Sequence, residues 1–291
     1  MQNRLFDIIT DTACDLTEAY LTAHQVDFLK LGFTMNNVNY GGEDGEKIGE
    51  KEFYDKLRGG AMPTTYQVTS DSAKTRMEAH LKAGRDVLAL AFSSGLSGTH
   101  GSYVVAAREL KEKYPNRKIV VIDSLCASMG QGLLVYYACQ KADTGASIEE
   151  TQVYIEDLKL HICHHFTVDS LFHLMRGGRV SGVTAVVGSL LKIKPVMYVN
   201  DEGKLIVRHK VMGRKKSISA LVEGMEKSAT LQKGDPIFIS HGDCEEEALA
   251  LKATLQEKYP ENEILVGYIG AVIGSHSGAG TLALFHVGNH R

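Results

Sequence analysis

The chain has 291 residues, 44% apolar and 23% charged, with a formal net charge of -3 at neutral pH. That composition excludes a disordered chain and leaves room for two domains with sizeable cores. It also excludes the domain-wide basic surface that binding to nucleic acid requires.

No stretch reaches membrane-spanning length, and the opening MQNRLFDIIT lacks a long apolar leader, so no stable membrane insertion is expected and the cytoplasm is the expected compartment. Five cysteines (14, 126, 139, 163 and 244) are scattered, odd in number and never spaced C-x-x-C. Reduced thiols are expected, without a disulfide framework or a cysteine-rich zinc site.

Along the chain, apolar strand-like runs alternate with amphipathic helix-like runs. LFDIIT reads as a strand, and DTACDLT supplies Asp and Thr caps for a helix over 16–24. VDFLKLGFTM (26–35) reads as a second strand, followed by a glycine-bearing polar loop over 36–47. EKEFYDKLRGG is a short helix stopped by paired glycines, and MPTTYQVT an extended connection, since Met62 precedes a proline. A helix over 70–84, the buried strand DVLALAF, a helix over 99–114, the strand KIVVID and a helix over 124–142 follow. Short apolar strands separated by helices mark a parallel sheet covered on both faces, so the first half is expected to be a doubly wound α/β domain. Ligands of such sheets sit beyond the carboxyl ends of the strands.

The second half changes character. HHFTVDS is strand-like, LFHLMRGGR a short helix ended by glycines, and VTAVVGSLLKI strongly apolar. KPVMYVNDEGKLIVRHKV is a hairpin, two alternating strands about an N-D-E-G turn. The helix RKKSISALVEGMEKSA, strand PIFISHG, helix EEEALALKATLQEKY and strand EILVGYIG complete it. A hairpin among alternating elements predicts a C-terminal α/β domain with a mixed sheet. The domains are placed at 1–165 and 166–291, with a ligand between them.

Several clusters carry chemical potential. FSSGLSGTH places Ser93, Ser94, Ser97 and Thr99 around Gly95 and Gly98 where a strand becomes a helix. Glycines admit a ligand to the backbone, and the helix start offers free N–H groups, a geometry suited to an anion. Helix capping alone would need one hydroxyl. The nucleophile elbow G-x-S-x-G is not matched, although Ser97 with His276 and Asp123 could form a triad. Walker A and G-x-G-x-x-G loops are absent, so no nucleotide cofactor is expected. PTTYQ (63–67) is a second hydroxyl cluster, and RGGRVSG sets Arg176 and Arg179 around a glycine pair. Arginine forks bind carboxylate or phosphate, yet they also suit a glycine-terminated helix. GRKK (213–216) is a further basic cluster, and IGSHSGAGTLAL sets His276 in a glycine-rich loop. HICHHF (161–166) is the most metal-like stretch. A strand there would point adjacent side chains to opposite faces, so no metal is expected.

The ordered series D-I-I-T-D-T-A-C-D-L, PTTYQ, SSGLSGT, VIDS, LFHLMRGGRVSG, GSLLKIKP, GRKK and GSHSGAGT resembles the DegV family, the fatty-acid-binding proteins that serve bacterial fatty acid kinases. Tyr66 and Val68 depart from the serine and proline usual there. The resemblance covers nearly the whole chain. It implies a long-chain fatty acid, such as palmitate, buried between two α/β domains and no further cofactor. The carboxylate would be held by Thr65 and Ser97, with Thr64, Ser94, Gly95 and His276 close by. Arg176, Arg179 and Arg214 match positions that handle the acyl phosphate or dock the kinase catalytic subunit. A non-catalytic lipid-binding protein of lipid transport and fatty acid metabolism is thus expected. The alternative is a serine hydrolase of acyl esters using Ser97 and His276. The apolar residues of VTAVVGSLL and LCASMGQGLLVYY are candidates for the tunnel wall.

Overall fold

The computed structural model describes residues 4–180 and 192–291. The apolar run 183–191, expected in the tunnel wall, lies outside the described residues.

Strand β1 (Phe6–Asp11) ends in a 3-10 turn whose first N–H groups include that of Ala13, which donates to Asp11 Oδ1. Helix α1 (Glu18–Ala23) is capped by Thr17. The expected single strand over 26–35 is instead two, β2 (Val26–Leu29) and β3 (Gly32–Met35). The chain leaves one sheet after Leu29 and enters another at Gly32, because β2 pairs with β1 and β3 with β4 (Val38–Gly41). The expected loop 36–47 therefore contains a strand. Helix α2 (Glu50–Arg58) follows, and β5 (Thr64–Tyr66) joins β3. Next come α3 (Ser70–Lys82), β6 (Asp86–Ala91), α4 (Thr99–Lys113), β7 (Ile119–Asp123) and α5 (Met129–Asp143). Helix α6 (Ile148–Leu158), which the sequence reading lacked, carries a capping box of Ser147 and Glu150.

The mixed sheet begins with β8 (Ile162–Thr167), followed by the short helix α7 (Phe172–Arg176). Strands β9 (Ile193–Val199) and β10 (Leu205–Met212) form the expected hairpin, its turn held by Asn200 Oδ1, which accepts from the N–H groups of Glu202 and Lys204. Helix α8 (Arg214–Ser228), β11 (Ile237–His241), α9 (Glu245–Lys258) and β12 (Ile264–Tyr268) alternate as the periodicity predicts. Helix α10 (Ala271–Ser277) occupies the stretch read as a glycine-rich loop, and β13 (Leu282–Val287) closes the sheet.

Three sheets result. One is all-parallel in the order β2-β1-β6-β7, one is mixed in the order β10-β9-β8-β13-β11-β12, and β4-β3-β5 is a small antiparallel sheet. The parallel sheet is covered on both faces, as doubly wound sheets are. Helices α3 and α4 pack with one apolar core and α5 and α6 with another. Helix α5 touches β1 as well as β8, β11 and β13, so it lies between the two large sheets. That position explains a helix apolar all round rather than along one stripe.

Candidate functional site

A cavity of about 310 Å³ opens where the carboxyl ends of β6 and β7 face the mixed sheet. Phe92, just after β6, and Ala127 and Ser128, just after β7, form one side, while Val199, Ala283 and Phe285 from the mixed sheet form another. Most of the lining is apolar. Among the described residues that line it there is no carboxylate, and the one permanently charged side chain is Arg179.

Thr65, Ser97, Arg179 and His276 all line this cavity. Each comes from a different element. Thr65 sits on β5, whose pairing with Phe33 holds it in place. Ser97 precedes the first turn of α4; its Oγ accepts from the Thr99 N–H at 3.2 Å and lies 3.0 Å from Thr99 Oγ1. A hydroxyl and the start of a fifteen-residue helix thus face the same space. His276 Nε2 lies 2.8 Å from Thr65 Oγ1, tying the N-terminal half of the chain to the C-terminal half. Arg179 donates from Nε to the Leu96 carbonyl at 3.1 Å, beside Ser97.

Burial, together with the nearby Arg179, Arg176 and His173, pushes the His276 imidazole down to about 4. It is therefore neutral at pH 7. Its Nδ1 is buried without a hydrogen-bond partner, close to where a side chain at Gly177 would stand. An orphaned N–H is more costly than an orphaned lone pair, which favours the tautomer with the proton on Nε2, donated to Thr65 Oγ1.

The other expected site residues lie elsewhere. Thr64 is exposed at the start of β5 and is not among the residues that line the cavity. Ser94 is exposed, its N–H donating to Asp123 Oδ1 at 3.1 Å. Gly95 is not among the residues that line this cavity. A Cβ there would stand 2.6 Å from the Glu202 carbonyl oxygen, so its missing side chain serves a tight fit against the β9–β10 turn. Ser93 Oγ donates to the Gly203 carbonyl at 2.9 Å in the same contact. Half of the elbow is thus a joint between the two halves of the chain. Arg176 donates to the carbonyls of Pro63 and Ser275, neighbours of the two site loops, and so braces them. Arg179, expected with the phosphate or the kinase, lines the cavity itself. Arg214 lies outside the lining, at the start of α8, paired with Glu247 at 2.6 Å.

A hydrolytic triad is not formed. His276 Nε2 is engaged by Thr65 rather than Ser97, and Asp123 Oδ1 accepts backbone N–H groups of Ser94 and Leu125. The charged neighbours that lower His276 are the guanidinium groups of Arg179 and Arg176, whereas a triad histidine needs a carboxylate at its other nitrogen.

Several lining residues carried no sequence signal of their own. Gln67, within PTTYQ, lines the cavity and donates to Ser102 Oγ at 3.1 Å. His164 also lines it; burial first, then Arg291, pushes its imidazole down to about 3, so it contributes a neutral ring. In LALFHV, Ala283 and Phe285 face the cavity while Leu282 and Leu284 enter a separate core. An all-apolar strand does not reveal which face meets a ligand. Of the helix α5 segment proposed for the wall, Ala127 and Ser128 line the cavity, and Leu133 to Val135 are core.

A family model described as an uncharacterised protein of the DegV family matches residues 5–289. A DegV domain-containing protein of Clostridium perfringens is 46% identical over 98% of both chains. A solved structure described as fatty acid binding of a DegV family protein, from Thermus thermophilus, superposes with a TM-score of 0.87 at 30% identity, covering 98% of this chain and 99% of that one. DegV of Bacillus subtilis, described as a fatty acid binding protein, superposes with a TM-score of 0.85 at 29% identity, covering 98% and 100%. With the match running nearly end to end and the site loops in the order the motifs set out, this chain belongs to the DegV family.

Proposed function

We propose that this protein binds one long-chain fatty acid, holds its carboxylate at Thr65 and Ser97, and presents it to the catalytic subunit of a separate fatty acid kinase, in lipid transport or fatty acid metabolism. It performs no turnover alone. The observation that carries this reading is the largely apolar cavity onto which Thr65, Ser97, Arg179 and His276 open from four separate segments, with no acid in its described lining.

The chemistry follows from the hydrogen bonds. With His276 donating to Thr65 Oγ1, the Thr65 O–H is free to donate to a carboxylate oxygen, and the chain of two bonds strengthens the donor. Ser97 Oγ accepts the Thr99 N–H, and with the Thr99 hydroxyl as donor in their 3.0 Å contact the Ser97 O–H is left to reach a carboxylate oxygen as well. Arg179 supplies the positive charge. These groups offset the several kcal/mol of lost carboxylate hydration at roughly 1.5–3 kcal/mol per charge-assisted bond. The tail supplies more. Each buried methylene contributes about 0.8 kcal/mol, so about fifteen give on the order of 12 kcal/mol before the costs of association.

Mass spectrometry of a chloroform extract of purified protein is expected to show a stoichiometric long-chain fatty acid, and p-nitrophenyl esters are expected to survive incubation. Ester cleavage abolished by Ser97→Ala would overturn the binding reading. Arg214 remains the proposed docking residue, because it stands outside the cavity and its partner Glu247 is half-exposed. Arg214→Ala is expected to leave lipid affinity unchanged and to slow phosphorylation by the kinase. Loss of bound lipid in this variant would return Arg214 to the pocket.

A further inference from the structure

Strand β8 carries a histidine on each of its two faces. His164 and Phe166 look into the cavity. Cys163 and His165, two residues apart, share the opposite face, under helix α8. In the antiparallel register of β8 and β13, His286 stands directly across from Cys163. All three side chains are buried, and their Sγ and ring nitrogen atoms lie within 4.8 Å of one another. The alternation that separates His164 from its neighbours therefore brings Cys163 and His165 together, and β13 supplies a third donor.

The distances are those of a coordination shell. His165 Nε2 and His286 Nε2 are 3.1 Å apart, and Ser228 Oγ, at the end of α8, stands 3.3 Å from the first and 3.4 Å from the second. Ligands about 2.05 Å from a tetrahedral ion are separated by about 3.3 Å. Three donor atoms thus already form one face of such a tetrahedron. A thiolate and an imidazole on one tetrahedral zinc ion are about 3.6 Å apart, so the Cys163 sulfur needs at most about an ångström of movement. Ser228 Oγ donates to the Gly224 carbonyl at 3.0 Å, which leaves its lone pairs toward the imidazoles. His286 Nδ1 is 2.9 Å from the Val287 carbonyl oxygen, an outer contact that directs its Nε2 lone pair inward.

We propose that Cys163, His165 and His286 form a binding site for one zinc-type divalent cation, with Ser228 at or next to the fourth position. One thiolate with two neutral imidazoles suits a borderline-soft ion of this class and not magnesium or calcium. The thiol proton is released to solvent as the ion binds. The ion would clamp β8, β13 and the end of α8 from behind the cavity wall. The site stands independently of the lipid reading.

The test uses the full chain without a histidine tag, stripped with chelator and refolded with one equivalent of Co²⁺ or Zn²⁺. One equivalent of Co²⁺ is expected to give tetrahedral d–d bands and a thiolate-to-cobalt charge-transfer band, both lost when Zn²⁺ displaces it. Cys163→Ala is expected to remove the charge-transfer band and to weaken Zn²⁺ binding by more than about 100-fold, with an unchanged circular dichroism spectrum and a cooperative melting transition as the signs of a folded chain. A wild-type Co²⁺ spectrum without the thiolate band overturns the proposal whether or not the variant folds. A folded Cys163→Ala that binds Zn²⁺ as the wild type does overturns it too.

Discussion

The polar end and the apolar wall of the cavity are built by opposite rules. At the polar end, Thr65, Ser97, Arg179 and His276 come from four separate segments and are tied to one another or to each other's neighbours by specific hydrogen bonds. In the wall, the side chains of Ala127, Val199, Ala283 and Phe285 carry no polar atom to satisfy and offer shape alone to the cavity. Apolar contact is additive and non-directional, so the wall supplies free energy. Directional donors reject ligands that lack an acceptor, so the polar end supplies selection.

The largest effect is expected from the wall. Ala127→Phe fills space that about four methylenes would occupy, removing roughly 3 kcal/mol, a loss of about 100-fold in affinity. Titration with a fluorescent fatty acid, with circular dichroism as the check of folding, measures it. Binding unchanged in a folded variant would place the tail elsewhere.

A smaller effect is expected at the polar end. Thr65→Val and Ser97→Ala each weaken binding by 10- to 100-fold, from about 1.5–3 kcal/mol per lost bond to a charged group. Equal weakening for the corresponding fatty alcohol would show that these hydroxyls do not read the carboxylate.

The smallest effect concerns stability and sharpens the contrast by leaving both regions alone. His80 bridges Asp27 and Asp7 at 2.9 and 2.8 Å, and these bonds raise its imidazole to about 9. A raised folded value means stability present below the unfolded value of about 6.5 and lost as pH rises through about 9. Burial holds Asp11 and Asp15 up near 6 and 7 and raises all five cysteine thiols, so the difference between the wild type and a His80 variant isolates the histidine from these other linkages. His80→Gln is expected to lower Tm by about 2 °C at pH 6.5 and by almost nothing near pH 10, with lipid affinity unchanged. A constant difference across that range would deny the linkage.

The contrast also explains what was readable. Polar-end residues stand in short motifs, since hydroxyls, glycines and arginines at loop positions are conspicuous. Even so, FSSGLSGTH did not distinguish Ser97, which faces the cavity, from Ser94, which faces solvent, or Gly95, which packs on the hairpin turn. All three lie within four residues, and only the direction of each side chain separates them. The run 26–35 read as one strand because its apolar content is continuous, whereas β2 and β3 belong to different sheets. Continuous apolarity reports burial and is silent about the partner. HICHHF shows the same limit: alternation within β8 is local, but His286 arrives from β13, 121 residues beyond His165.

Residue order alone established the alternation of strands and helices, the parallel N-terminal sheet, the β9–β10 hairpin and the family, because period, caps and turn residues act over a few positions. Three-dimensional packing decided the rest: which face of each apolar strand meets the cavity, which hydroxyl pairs with His276, and which half of the elbow serves as a joint. Those outcomes depend on segments distant in sequence meeting at contact distance, and no local pattern encodes the partner across that distance.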